Sequence, residues 1–200
     1  MELSRQTNHT GRMTAMSELH FLGLGGTDEV GASSYLYLLK EGNLLIDAGV
    51  RPGGVGEAAL PKFELLSEHL PAAMVLTHAH LDHVGALPLV TTRFPKLRIY
   101  CTEATARIAA LVLADTLKVS TEQGYPLFGP SQMKRALERL QPIPYFQTVS
   151  DHGFLSFTSS TVPVMNTPCP LVFARFWSAS GNNGSSPSYA SVTLLVSPSR

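Results

Sequence analysis

The stretch Thr77-His78-Ala79-His80-Leu81-Asp82-His83 decides how this 200-residue chain is to be read. His78, His80 and Asp82 are spaced by two, and in an extended loop that spacing turns three side chains to one side. His83 follows where a helix can begin. Four metal-competent side chains in six positions make a dense cluster. Imidazole and carboxylate suit zinc, with manganese or iron as rivals. The cluster lies just past the carboxyl end of the apolar run Ala72–Leu76, where open α/β folds place their sites. A lone histidine here would be surface chemistry, whereas the whole motif, followed by Val84-Gly85-Ala86, points to a site.

Working outward, residues 18–24 predict a first strand, followed by the glycine-rich loop Gly25-Gly26-Thr27-Asp28-Glu29-Val30-Gly31. Strands are expected over Ser34–Leu39 and Asn43–Asp47, separated by the turn signal Lys40-Glu41-Gly42. Leu44-Leu45-Ile46 lacks polar alternation and reads as a strand covered on both faces; it ends at Asp47-Ala48-Gly49. A short helix is expected over 60–70, opening at Pro61. Val84–Phe94 reads as helical, weakened by Pro88, and Leu97–Cys101 as a strand. Thr102 suits the N-cap of a helix running to Ser120, with Ile108, Leu111, Val112, Ala114-Asp115 and Val119 as its stripe. A second helix is expected over Ser131–Leu140, with Met133, Ala136, Leu137 and Leu140 on one face. Its Lys134, Arg135 and Arg139 read as a solvated basic face. Phe154–Phe157, Leu171–Trp177 and Ala190–Val196 have strand character.

Apolar residues make up 44% of the chain and charged ones 15%, as in a globular protein. The formal net charge is zero, so no basic footprint for nucleic acid is evident in the composition. Cys101 and Cys169 form neither a zinc knuckle nor a disulfide framework. Cys101 ends an apolar run and reads as a small core residue. A reducing cytoplasm is the expected compartment. The first 16 residues have no apolar h-region, and no stretch has the length of a membrane span. Gly23–Gly26 is not followed by Lys-Ser/Thr, so the phosphate-loop reading fails.

Leu44-Leu45-Ile46-Asp47-Ala48-Gly49 and His78–His83 together resemble the first and second motifs of the metallo-β-lactamase fold. Three further stretches resemble the β-CASP ribonucleases within that superfamily. They are Gly23-Leu24-Gly25-Gly26 leading to Glu29-Val30-Gly31-Ala32-Ser33-Ser34; Leu81–Pro88; and Thr102-Glu103-Ala104-Thr105 entering a long helix, with a further helix near Arg135–Leu140. The resemblance covers about residues 18–158. It implies an α/β fold of the αββα sandwich type, with this chain holding the N-terminal half. It also implies two Zn2+ ions, His78 and His80 binding one, Asp82 and His83 the other. Asp82 would in addition orient the attacking water as the catalytic residue. Asp47 would support the site from nearby without ligating. The implied chemistry is metal-assisted hydrolysis of an RNA phosphodiester, with RNA as the partner. A different hydrolase of the same fold, acting on a thioester, lactone or β-lactam, is the alternative, as is a non-catalytic remnant.

The family supplies further ligands after its second motif, a His, a bridging Asp and another His. This chain has one later histidine, His152, which in Asp151-His152-Gly153 reads as a turn residue, and no carboxylate after Asp151. The organisation expected is a leader over 1–16, the lactamase-like part over 17–158, and a Ser/Pro-rich tail over 159–200. The loss of acidic residues suggests a frameshifted or disordered tail.

Overall fold

The computed structural model describes residues 20–39, 42–144, 148–151, 155–164, 167–178 and 188–194, with side chains described up to residue 144. Its main feature is a six-stranded mixed sheet in the order β1 to β6. β1 (His20–Gly25), β2 (Ser34–Leu38) and β3 (Asn43–Ile46) run antiparallel. β4 (Pro71–Val75), β5 (Arg98–Thr102) and β6 (Leu140–Ile143) continue from β3 in parallel. Parallel neighbours need long crossovers. Two short 3-10 turns join β3 to β4, helices α1 (Leu81–Val84) and α2 (Leu87–Arg93) join β4 to β5, and α3 (Glu103–Glu122) and α4 (Pro130–Glu138) join β5 to β6.

The absence of polar alternation in β3 has its cause in the sheet. Leu45 points into the core shared with the helices, beside Met74, Ile99, Cys101, Leu87 and Leu113. Leu44 and Ile46 point to the other face, beside Ala73, Val75, Tyr100 and Ile143. Both faces are buried, as continuous apolar runs require. Each large side chain so buried stabilises the fold by about 1.5–3 kcal/mol before entropy is counted.

Several expectations are corrected in detail. Residues 60–70 form no α-helix; 3-10 turns span Gly56–Ala59 and Phe63–Ser67. Phe63 and Leu66, three residues apart, both face the core, and three residues per turn aligns them. Val84 ends α1, the rest of the span expected to be helical is α2 from Leu87 to Arg93, and Pro88 lies in the first turn of α2, where its missing N–H costs nothing. Thr102 caps α3 as expected, its side chain accepting from the Thr105 amide at 3.0 Å. The buried stripe, however, is Thr105, Ala109 and Leu113, while Ile108, Leu111 and Val119 are exposed. On α4, Ala136 is buried, Met133 and Leu137 pack on the core with Leu140 just beyond, and Lys134 and Arg135 are exposed. The parallel strand β6 went unread.

Further along, β7 (Thr148–Asp151), β8 (Leu155–Val164), β9 (Thr167–Ser178) and β10 (Ser188–Leu194) form an antiparallel sheet in the order β10-β9-β8-β7. The turn expected at His152 and the leader expected over 1–16 lie outside the described residues. Among the described residues no helix is long and apolar enough to cross a membrane.

Candidate metal centre

The site forms where β3 and β4 end side by side. Asp47 follows β3 with φ of +59°, a left-handed conformation that a non-glycine residue seldom adopts and that Asp tolerates better than most. Asp47 is buried there, its side chain 2% exposed. Oδ1 accepts from the Thr77 amide at 2.8 Å, and Oδ2 accepts from the Thr77 hydroxyl at 2.6 Å. His83 Nδ1 lies 2.8 Å from the same Oδ2 and donates to it.

These bonds set the histidine tautomers. The Thr77 hydroxyl has one proton, and Asp47 takes it. The contact between Thr77 Oγ1 and His78 Nδ1 at 3.0 Å therefore has Nδ1 as donor. His78 thus carries its proton on Nδ1 and leaves Nε2 free, and His83 in its neutral form does the same. A histidine whose other nitrogen is bonded to a carboxylate or an oriented hydroxyl is the usual form of a metal ligand. Burial, together with the neighbouring His83, pushes the His78 pKa down to about 4, so this ring is neutral at pH 7. Burial also works to lower His83, but the hydrogen bond and charge of Asp47 outweigh it and hold this ring above the ordinary imidazole range.

The rings of His78 and His83 lie 4.0 Å apart by centroid, and those of His78 and His80 4.6 Å. His80 is exposed and Asp82 half-buried, with Asp82 Oδ2 3.6 Å from His83 Nε2. The sequence cluster is thus one cluster in space. As the side chains stand, no three His, Cys, Asp or Glu groups among the described residues converge closely enough to hold an ion. The donor set nonetheless fits zinc in its chemistry: bare imidazole Nε2 atoms, one exposed imidazole and one accessible carboxylate.

Main-chain bonds hold the motif in place. The carbonyls of Leu81, Asp82 and His83 accept from the amides of Val50 (3.3 Å), Ser33 (2.9 Å) and Ala48 (2.8 Å) respectively. Gly49 lies against this segment so closely that a Cβ there would overlap the Asp82 carbonyl. Ser34 Oγ donates to the Asp47 carbonyl at 3.0 Å. Sequence reasoning missed Thr77 as a hydrogen-bonding residue, and also Ser34 and the role of Gly49. The one available signal was the placement of Thr77 directly between an apolar strand and His78.

The chain is similar in sequence to known proteins. Residues 27–155 match the metallo-β-lactamase superfamily. Transcription termination factor FttA of Cenarchaeum symbiosum is 33% identical over 144 residues, covering 70% of this chain and 22% of that protein. Endoribonuclease ysh1 of Schizosaccharomyces pombe is 32% identical over 143 residues, covering 70% and 19%. Ribonuclease TTHA0252 of Thermus thermophilus is 35% identical over 127 residues, covering 64% and 28%. The chain spans about a fifth of the length of the first two relatives.

Proposed function

Because this chain belongs to the metallo-β-lactamase superfamily, we propose that it carries part of the metal centre of a β-CASP-type RNA hydrolase. His78 and His80 hold one zinc ion, and Asp82 and His83 the other. Asp47 supports the site without ligating: it is buried, and its carboxylate faces Thr77 and the Nδ1 side of His83. The observation that carries the proposal is the His83–Asp47 bond, which engages Nδ1 and turns His83 Nε2 toward Asp82.

When bound, such ions activate water and offset charge on a phosphodiester. The chain's own residues do the rest. Asp47 fixes the tautomer and ring angle of His83, Thr77 does the same for His78, and the Asp82 carboxylate accepts a hydrogen bond from the incoming water and aligns it. RNA as the substrate is supported by the names of the relatives, among them two ribonucleases.

The test is zinc titration of the purified chain against a chromophoric chelator, with His78→Ala and His80→Ala alongside. The expected result is weak zinc uptake by the parent, since four such donors come together among the described residues, and loss of uptake in both variants. No uptake by the parent, or uptake indifferent to the two substitutions, would overturn the ligand assignment. The zinc-loaded chain is then offered RNA, a thioester, a lactone and a β-lactam. Turnover of any of the last three without RNA cleavage would replace the RNA reading with the alternative.

A further inference from the structure

We infer that Glu29 and Arg51, neither of them a ligand, form a clamp that positions Asp82 and His83 relative to His78 and His80. The guanidinium grips both Glu29 oxygens, Nε to Oε2 and Nη2 to Oε1, each at 2.6 Å. Its Nη1 donates to the carbonyl of Ala58 at 3.2 Å and to that of Leu60. The Arg51 amide donates to the Ala59 carbonyl at 2.7 Å. One side chain thereby ties together three segments: the glycine-rich loop after β1, the loop after β3, and the 3-10 turn over Gly56–Ala59.

The first two of those segments carry the amides that hold the ligand motif. Ser33, four residues past Glu29, bonds the Asp82 carbonyl, and Ala48 and Val50, just before Arg51, bond those of His83 and Leu81. The two loops also bond each other, Ala32 amide to Val50 carbonyl and Gly49 amide to Ser33 carbonyl, both at 3.0 Å. Gly31 has a φ of +86° and is pressed against Pro52, so the loops meet with no room for a side chain between them. Movement of either loop relative to the other therefore moves the main chain of Asp82 and His83.

A bland surface ion pair is the competing account. The two side chains are a quarter and a third exposed, and such pairs contribute little to stability. That exposure makes the two accounts separable. A clamp shows itself in position, while global stability changes little in either case. The fork geometry also matters, because lysine keeps the charge but cannot grip two oxygens and two carbonyls at once.

The test compares the parent with Arg51→Lys and Glu29→Gln. Three measurements are made on each: amide hydrogen exchange, zinc affinity by chelator competition, and thermal melting of the metal-free chain. In both variants exchange at Ser33, Ala48 and Val50 is expected to quicken on the order of tenfold, with α3 amides and the melting temperature near parental. Zinc affinity is expected to fall roughly tenfold, the lower end of what loss of an outer partner costs a metal site. Parental exchange at the three amides in both variants overturns the clamp, as does quickened exchange spread evenly over the molecule. The zinc arm rests on the ligand assignment proposed above. A parent that takes up no zinc defeats that assignment, and the exchange arm still decides the clamp.

Discussion

Asp47 gathers three donors onto one buried carboxylate, and two of them come from Thr77. Thr77→Val keeps the shape of the side chain and removes its hydroxyl. Asp47 and His78 each then lose a partner in a buried setting. The expected cost is about 1–2 kcal/mol in urea unfolding, with weaker zinc affinity as His78 loses its fixed tautomer. A variant as stable as the parent, with unchanged zinc affinity, would mean that Thr77 orients nothing. At this scale the sequence was legible where spacing carries chemistry: His78, His80, Asp82 and His83 do cluster. It was illegible where an ordinary residue acts through burial. A threonine after an apolar strand reads as a turn residue until its hydroxyl is found enclosed, with Thr77 itself 4% exposed.

Among the elements, α3 shows where periodicity misleads. The large apolar residues Ile108, Leu111 and Val119 suggested the buried face, yet the sheet is met by Thr105, Ala109 and Leu113. Small residues let a helix approach closely, and bulk alone does not mark the inner face. Leu113→Ala should therefore cost about 2–5 kcal/mol, and Leu111→Ala about 0.5 kcal/mol or less, both read from urea midpoints at constant slope. Equal costs would restore the stripe expected from the sequence. The strands β2 to β5 were legible within a residue or two because each is a short apolar run bounded by turn signals. β6 was not, since Leu140-Gln141-Pro142-Ile143 is too short and too polar to stand out from the end of a helix.

Across the whole molecule, the central strands of the sheet are buried on both faces, and Cys101 reports on the helix-side core. Burial, with the nearby Glu103 charge, pushes its thiol up to about 12. It is fully enclosed and protonated at pH 8. The thiolate is the reactive form, and its share rises only as pH approaches that raised value. In a Cys169→Ser variant, a colorimetric thiol reagent at pH 8 should register no reaction until urea unfolds the chain. Rapid reaction of the native protein would mean that the layer between sheet and helices opens readily. The two-faced burial of this sheet was visible in Leu44-Leu45-Ile46.

The bonds from Ser33, Ala48 and Val50 to the carbonyls of Leu81, Asp82 and His83 use main-chain atoms on both sides. Such a joint is a constraint on chain length more than on composition. Replacements at the non-glycine positions of the two loops mostly leave it standing, whereas a Cβ at Gly31 would meet Pro52 and one at Gly49 would overlap the Asp82 carbonyl. A single residue inserted or deleted between Asp47 and Val50 shifts the phase of that loop against the ligand motif and breaks the joint. Apart from its glycines and the Glu29–Arg51 pair, the centre is thus more tolerant of spelling errors in its supporting loops than of counting errors.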